Sequence, residues 1–348
     1  MTETGFRRKR RLTSFQIMIL GFAGVILLGA LVLMLPLSAA KRAWTPFSQA
    51  LFTSTSAVCV TGLVVQDTGS YWSGFGQTVI LALIQIGGLG VIACMVAFFL
   101  IIKKKITMKE RVVIQQTYSL DTLTGMVQFV IRILRGTFVV EGIGALLYSI
   151  RFIPEYGLVE GICYSVFHAV SAFCNAGIDI LGSSSYMGYV KSPIVSFTTI
   201  FLIVIGGLGF PVWHDIYTNT KRVITQRQPA RRLFMRLKLQ TKIVLTMTAV
   251  LLITGFLGFF VLEYKNPETM GGLNFWQKLM ASGFQSVTTR TAGFASVSQA
   301  GLTSGSKLLA CILMFVGGSP AGTAGGVKTT TVAMLLLTGV GVLKGKRD

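Results

Sequence analysis

Three short glycine turns recur along the chain, and each follows the end of an apolar segment. Their central residues are Val60, Thr61 and Gly62 in the first turn, Asn175, Ala176 and Gly177 in the second, and Thr291, Ala292 and Gly293 in the third. The three glycines are 115 and 116 residues apart, and a near-constant period indicates repeated structural units. Backbone carbonyls can replace the hydration shell of a cation, and glycine leaves the backbone free to point them inward. These turns therefore predict the ion-binding filter of a pore.

A second glycine element follows each turn, at Ile86–Gly90, Ile205–Gly209 and Val316–Gly318. Glycine also allows two helices to approach closely, which is an alternative reason for its presence in a membrane protein. Close packing is the favoured interpretation for the paired glycines of this second element. The filter is the favoured interpretation for the glycines of the three turns.

The last apolar segment is interrupted by a run of small residues. The predicted gate comprises Gly317, Gly318, Ser319, Pro320, Ala321, Gly322, Thr323, Ala324, Gly325, Gly326 and the nearby Lys328. Proline and repeated glycine cannot continue a helix, so this stretch predicts a mobile gate in the membrane, with a static kink as the alternative. A phosphate-binding loop is excluded because Val327 separates Gly326 from Lys328 and no strand precedes the run. Lys328 is expected to line the inner pore or to pair with Glu141.

The elements that position these residues are membrane helices. The chain has 348 residues, of which 52% are hydrophobic, and its mean hydropathy is +0.68. A bilayer core takes about 20 apolar residues per span, and six long segments qualify, near 15–36, 76–102, 136–153, 193–213, 243–262 and 307–343. Three segments near 47–58, 162–173 and 275–287 are too short or too polar to cross, so they predict re-entrant half-helices. Non-helical backbone at membrane depth is tolerated where it lines a water-filled cavity, so three such loops predict a common one.

The net charge of +20 is concentrated between the apolar segments. The basic blocks are Arg7–Arg11, Lys103–Arg111, Lys221–Lys242 and Lys344–Arg347. This distribution follows the positive-inside rule and predicts a multi-pass plasma-membrane protein with a cytoplasmic N-terminus. Nucleic-acid binding is disfavoured because the blocks contain no aromatic ladder and no recognised binding motif.

Other classes of function fit the sequence less well. A membrane-embedded enzyme would need a nucleophile with a base, or clustered acidic and histidine residues, whereas Glu141 and His168 are isolated. A secondary transporter for Na⁺ or a small solute, with broken helices at its midplane, is the alternative to a K⁺ pore. Such transporters usually have two inverted repeats, whereas this chain has three parallel copies.

Taken together, the three turns and the Gly317–Thr331 segment resemble the membrane subunit of the Trk/Ktr/HKT superfamily of potassium transporters. The short basic N-terminus is more similar to the Ktr B subunit than to the Trk H subunit. The resemblance implies an all-α polytopic fold with repeated helix, re-entrant pore loop and helix units around a pseudo-symmetric pore. It also implies K⁺ coordination by the filter carbonyls, with Na⁺ as a possible coupling ion and no covalent cofactor.

The resemblance further implies a homodimer, a cytosolic nucleotide-binding ring of the RCK/KTN type, and contact with anionic lipids. We expect residues 1–13 to be a cytoplasmic segment, and 14–111, 112–222 and 223–348 to be three pore repeats. The superfamily has four repeats, so we expect this chain to be a truncated form that lacks the fourth.

Overall fold

The computed structural model describes residues 13–103, 106–118, 125–182, 184–226, 229 and 231–345. The described part is helical and contains no named β-strand. Its helices are α1 (Ser14–Met34), α2 (Phe47–Val58), α3 (Thr68–Tyr71), α4 (Gly74–Leu89), α5 (Val91–Ile101), α6 (Met108–Tyr118), α7 (Met126–Tyr156), α8 (Leu158–Phe173), α9 (Pro193–Gly207), α10 (Phe210–Thr225), α11 (Arg231–Arg236), α12 (Leu239–Glu263), α13 (Phe275–Thr288), α14 (Ser304–Phe315) and α15 (Thr329–Leu343).

These helices form three copies of one unit. In each copy a long helix packs against a short one, and the pairs are α1 with α2, α7 with α8, and α12 with α13. A glycine turn follows the short helix, and a second, broken helix completes the unit. The short helices have nearly the bounds expected for re-entrant half-helices. The predicted all-α fold with repeated helix, re-entrant loop and helix units is therefore confirmed.

The second long helix of each copy is not continuous, contrary to the prediction of single spans near 76–102 and 193–213. Helices α4 and α5 meet at 102°, and α9 and α10 meet at 96°. The breaks lie at Gly90, with φ of +84°, and at Gly209, with φ of +88°. Only glycine takes such backbone angles without a steric penalty, so these positions end one helix and redirect the next.

By length and apolar composition, two helices in the described part can each cross a membrane, α1 from Gln16 and α12. The number rises to four if each bent pair is counted as one span, against the six predicted. Many large apolar side chains on α1 and α12 are exposed, including Ile19, Leu28, Ile253 and Val261. Such exposure is what a lipid-facing helix requires. The chain is therefore a polytopic membrane protein, and the boundaries of the three repeats stay a prediction.

The same type of serine hydrogen bond anchors the first and third half-helices to their long helices. The Ser54 hydroxyl donates to the Ile26 carbonyl at 2.7 Å, and the Ser286 hydroxyl donates to the Leu252 carbonyl at 2.8 Å. A glycine lies three residues after each acceptor, because a β-carbon there would collide with the serine hydroxyl. A small residue on the long helix and a hydroxyl on the half-helix thus lock the pair together.

Helix α10 is tied to the start of α12 by one buried carboxylate. Asp215 Oδ2 accepts from the Lys238 backbone N–H at 2.9 Å and from the Thr241 hydroxyl at 2.7 Å. Its Oδ1 accepts from the Asn219 side-chain amide at 2.9 Å. Three donors satisfy this buried acid, so the position of α10 is fixed relative to the third repeat.

Candidate ion pore and gate

The three glycine turns share one backbone pattern. A non-glycine residue with positive φ stands two positions before the glycine, which itself has positive φ. The pairs are Val60 at +54° with Gly62 at +74°, Asn175 at +57° with Gly177 at +64°, and Thr291 at +71° with Gly293 at +97°. Thr61, Ala176 and Ala292, which lie between them, are not among the residues with positive φ, so the sign of φ alternates through each turn. A β-branched residue at positive φ is a true outlier, and such strain clusters at functional sites.

The three turns also lie against one another. A β-carbon on Gly62 would come within 2.6 Å of the Ala176 carbonyl oxygen. A β-carbon on Gly177 would overlap the Ala292 carbonyl oxygen in the same way. The first turn therefore contacts the second and the second contacts the third, so the structure places the three predicted filter turns side by side.

A hydrogen bond from a hydroxyl group ties each turn to its half-helix. In the first repeat the Thr61 hydroxyl donates to the Ser56 hydroxyl at 2.9 Å. In the second, Ser171 donates to the Ile178 carbonyl, and in the third, Thr288 donates to the Phe294 carbonyl at 2.7 Å. Each donor or acceptor on the half-helix lies in its last turns, so the turns begin at helix C-termini. The partly negative end of a helix dipole favours a cation at this position.

The paired glycines allow the broken helices to approach the half-helices. A β-carbon on Gly87 would overlap the Val58 carbonyl oxygen, and one on Gly206 would overlap the Phe173 carbonyl oxygen. Val58 and Phe173 are the last residues of α2 and α8. The geometry therefore fits the packing interpretation of these glycines.

The predicted gate is a loop between α14 and α15 that folds back on itself. Gly317 N–H donates to the Val327 carbonyl at 3.1 Å, and Gly318 N–H donates to the Gly325 carbonyl at 3.0 Å. The two ends of the loop are therefore adjacent. We call residues 317–326 the gate loop.

The gate loop is attached to the break in the second repeat. Ser319 N–H donates to the Gly207 carbonyl at 3.0 Å, and Thr323 N–H donates to the Gly206 carbonyl at 3.2 Å. In return, Phe210 N–H donates to the Ala321 carbonyl at 3.0 Å. The break frees helix-terminal groups that have no partner within their own helices, and the gate loop supplies those partners.

The charged residues near the loop have partners other than those expected. Lys328 Nζ donates to the Ala324 carbonyl at 2.8 Å, and Glu141 accepts from the Gln85 amide at 3.2 Å. The expected pairing of Lys328 with Glu141 is therefore wrong. Lys328 instead bonds to a backbone carbonyl four residues before it, and the Glu141 carboxylate bonds to the side-chain amide of Gln85.

Sequence reasoning assigned no role to Arg290, which stands directly before the third turn. The side chain is buried, and its Nη2 donates to the Gly317 carbonyl at 3.2 Å. Cys59 and Cys174 occupy the equivalent positions in the other repeats. A charged residue where two repeats have cysteine was the sequence feature that distinguished this position.

Comparison with known proteins finds matches over nearly the whole chain. The TrkH family, described as a cation transport protein, matches residues 8–347. The chain is 40% identical over 348 residues to the potassium/sodium uptake protein NtpJ of Enterococcus hirae, covering 74% of that protein. It is 41% identical over 339 residues to the Ktr system potassium uptake protein B of Bacillus subtilis, covering 73% of it.

The fold agrees with a solved structure as well. The potassium transporter TrkH from Vibrio parahaemolyticus superposes with a TM-score of 0.69 at 17% identity, over 97% of this chain and 64% of that one. At this identity the likeness concerns the fold alone. The family match and the identities to the two uptake proteins establish that this chain is an ion transporter and not an enzyme, and that it belongs to the TrkH cation transport protein family.

Proposed function

We propose that the chain takes up K⁺ through a pore whose filter is formed by the three glycine turns. The observation that carries the proposal is the shared backbone pattern of the turns, together with their mutual contact. Convergent carbonyls at the C-terminal ends of three half-helices provide the oxygen ligands and the negative potential that a dehydrated cation needs. The relatives named as potassium uptake proteins support the same cation.

The alternative is a transporter whose cargo is Na⁺ or a small solute. The name of the Enterococcus relative includes sodium as well as potassium. The turns offer backbone oxygens and no side-chain carboxylate among their central residues, which favours a monovalent cation over an organic solute.

Uptake of radiolabelled Rb⁺ into vesicles containing the purified chain tests the proposal. We expect K⁺ to compete with Rb⁺ far better than Na⁺, and neutral solutes not to compete at all. Equal competition by Na⁺, or by a solute, would replace the K⁺ pore with the alternative. Empty vesicles prepared in parallel define the background.

The gate loop is proposed to obstruct the pore on one side of the filter. Its backbone is held by the second repeat through three hydrogen bonds, and its side chains are small. A segment held by a few hydrogen bonds moves at a low free-energy cost.

The comparisons do not support the expectation that the chain lacks a fourth repeat. Around the described turns, a β-carbon on Gly62 or Gly177 would meet the carbonyl of the following turn. A β-carbon on Gly293 would meet no such carbonyl within 4 Å in the described residues. A fourth turn, from whatever segment supplies it, is proposed to lie beside Gly293.

A homodimer is proposed from the resemblance alone.

A cytosolic nucleotide-binding ring is proposed to dock on the basic segment Lys221–Lys242. Within it, α11 carries exposed Phe234 and Met235 beside Arg236, which donates to Gln226 at 3.3 Å. Exposed apolar groups among positive charges suit an acidic protein surface with an apolar centre. Anionic lipid headgroups are the alternative partner, at about 1 kcal/mol for each basic residue near the membrane surface.

Neutralising Arg231, Arg232 and Arg236 together to glutamine is expected to weaken co-purification of the nucleotide-binding subunit of a Ktr system. The difference from the unmodified chain should be largest at low salt and shrink as the salt concentration rises, because salt screens the exposed charges that the variant removes. A matched triple change of Lys41, Arg42 and Lys265, which lie outside the basic segment, is expected to leave co-purification unchanged. Full binding by the first variant at every salt concentration would leave lipid contact as the role of the segment.

A further inference from the structure

Two polar side chains of the filter turns contact the gate loop directly. Asn175 Nδ2 donates to the Thr323 hydroxyl at 2.6 Å, and that hydroxyl donates onward to the Phe173 carbonyl at 3.0 Å. On the neighbouring turn, the Thr291 hydroxyl accepts from the Gly325 N–H at 3.0 Å. The gate loop is therefore attached to the second and third turns by separate hydrogen bonds.

These two contacts come from equivalent positions of the repeat. Asn175 and Thr291 are the residues with positive φ that precede the filter glycine by two positions. A residue with positive φ also holds its side chain in a different direction from a residue in a helix or a strand. Val60 is the equivalent residue of the first turn and has no polar group to offer the loop. In the described residues, the second and third turns contact the gate loop through this position, and both carry a hydrogen-bonding side chain there.

The two contacts differ in their surroundings. Asn175 and Thr323 are buried, with 1% and 9% of their surfaces exposed, whereas the Gly325 contact is exposed. A buried polar group that loses its partner is penalised more than one that water can reach. Of these two contacts, the one made by Asn175 therefore opposes release of the gate loop more strongly than the one made by Thr291.

We propose that Asn175 and Thr291 form a latch that holds the gate loop shut against the filter. The inference rests on the proposed function of the turns and of the loop. Opening separates Thr323 from Asn175 and Gly325 from Thr291, so it removes one hydrogen bond from each of two filter turns, which the half-helix hydroxyls still hold. Coupling of this kind is reciprocal, and ion occupancy of the filter therefore biases the position of the loop.

Isosteric removal of the hydroxyl groups tests the latch. Thr323→Val deletes both buried contacts of the hydroxyl, and Thr291→Val deletes the acceptor while it keeps the β-branched shape at positive φ. We expect the Rb⁺ uptake rate of the full chain to rise about tenfold for Thr323→Val and about threefold for Thr291→Val. Damage to the fold would lower the rate, so an increase is the direction that a merely structural role does not give.

Thr289→Val is the matched control. This buried hydroxyl is two residues from Thr291 but bonds only to the carbonyls of Gln285 and Ser286 on its own helix. We expect its uptake rate to equal that of the unmodified chain. Thr323→Ser keeps the hydroxyl and is expected to restore the unmodified rate.

The outcomes separate the latch from the proposed gate. If deletion of the gate loop raises uptake while Thr323→Val and Thr291→Val behave like Thr289→Val, the loop is a gate without this latch. If Thr323→Val does not fold, Thr291→Val and an Asn175→Gly variant, which removes the amide donor and tolerates positive φ, give the same test. Unchanged or lower uptake in both folded variants overturns the latch. Lower uptake in the loop deletion overturns the gate itself.

Discussion

Gly62→Ser is expected to remove the preference for K⁺ over Na⁺ while uptake continues. The added β-carbon would lie 2.6 Å from the Ala176 carbonyl oxygen, at a residue with φ of +74°. A left-handed conformation costs a non-glycine residue about 1–2 kcal/mol, so the turn relaxes and its carbonyls move out of register. About 1.4 kcal/mol corresponds to a factor of ten, and we expect the K⁺/Na⁺ ratio of uptake to fall by about that factor.

Gly142→Ser supplies the control for this change. Gly142 lies within α7, and a β-carbon there meets no atom within 4 Å. The measurement is uptake of K⁺ and of Na⁺ by the same vesicles at matched protein content. A Gly62→Ser variant with an unaltered ratio would remove the first turn from the filter.

Deletion of Ser319–Gly325 is expected to raise the uptake rate about tenfold and to leave selectivity intact. The deletion removes the proposed obstruction, whereas hydroxyls of the half-helices still hold the filter turns. It joins Gly318 to Gly326, which the folded-back loop already brings close together: a β-carbon on Gly326 would lie 2.7 Å from the Gly317 Cα. The shortened chain therefore needs little rearrangement.

The rate is measured on purified protein that elutes as a single species and unfolds at the temperature of the unmodified chain. Reduced flux in such a preparation would assign the loop a supporting role. A changed K⁺/Na⁺ ratio would place part of the filter within the loop.

Much of the fold could be predicted because apolar length and glycine position are properties of the sequence alone. The half-helix predicted at 47–58 has those bounds in the structure, and the one predicted at 275–287 ends one residue later. The breaks at Gly90 and Gly209 were missed because apolar residues continue on both sides, so hydropathy does not reveal a bend. A left-handed glycine ends a helix irrespective of the residues that follow it.

The contacts of the candidate site were largely beyond sequence reasoning. The turns could be identified because their repeat is visible in the sequence, but the second-repeat partners of the gate loop come from residues about 110–150 positions away. The unexpected partners of Glu141 and Lys328 have the same origin. Hydrogen-bond partners are determined by the packing of repeats against one another, which a single sequence does not contain.

The attachment of α10 to both the gate loop and α12 has a mechanical consequence. At one end Phe210 N–H holds the Ala321 carbonyl, and along its length Asp215 holds the start of α12, next to the basic segment. A helix of 16 residues is a rod of about 24 Å, so a tilt of about 5° about one end displaces the other by about 2 Å. Such a displacement breaks a hydrogen bond of 3.0 Å. A partner that docks on the basic segment and tilts α10 by a few degrees would therefore strain the hydrogen bond between Phe210 and the gate loop.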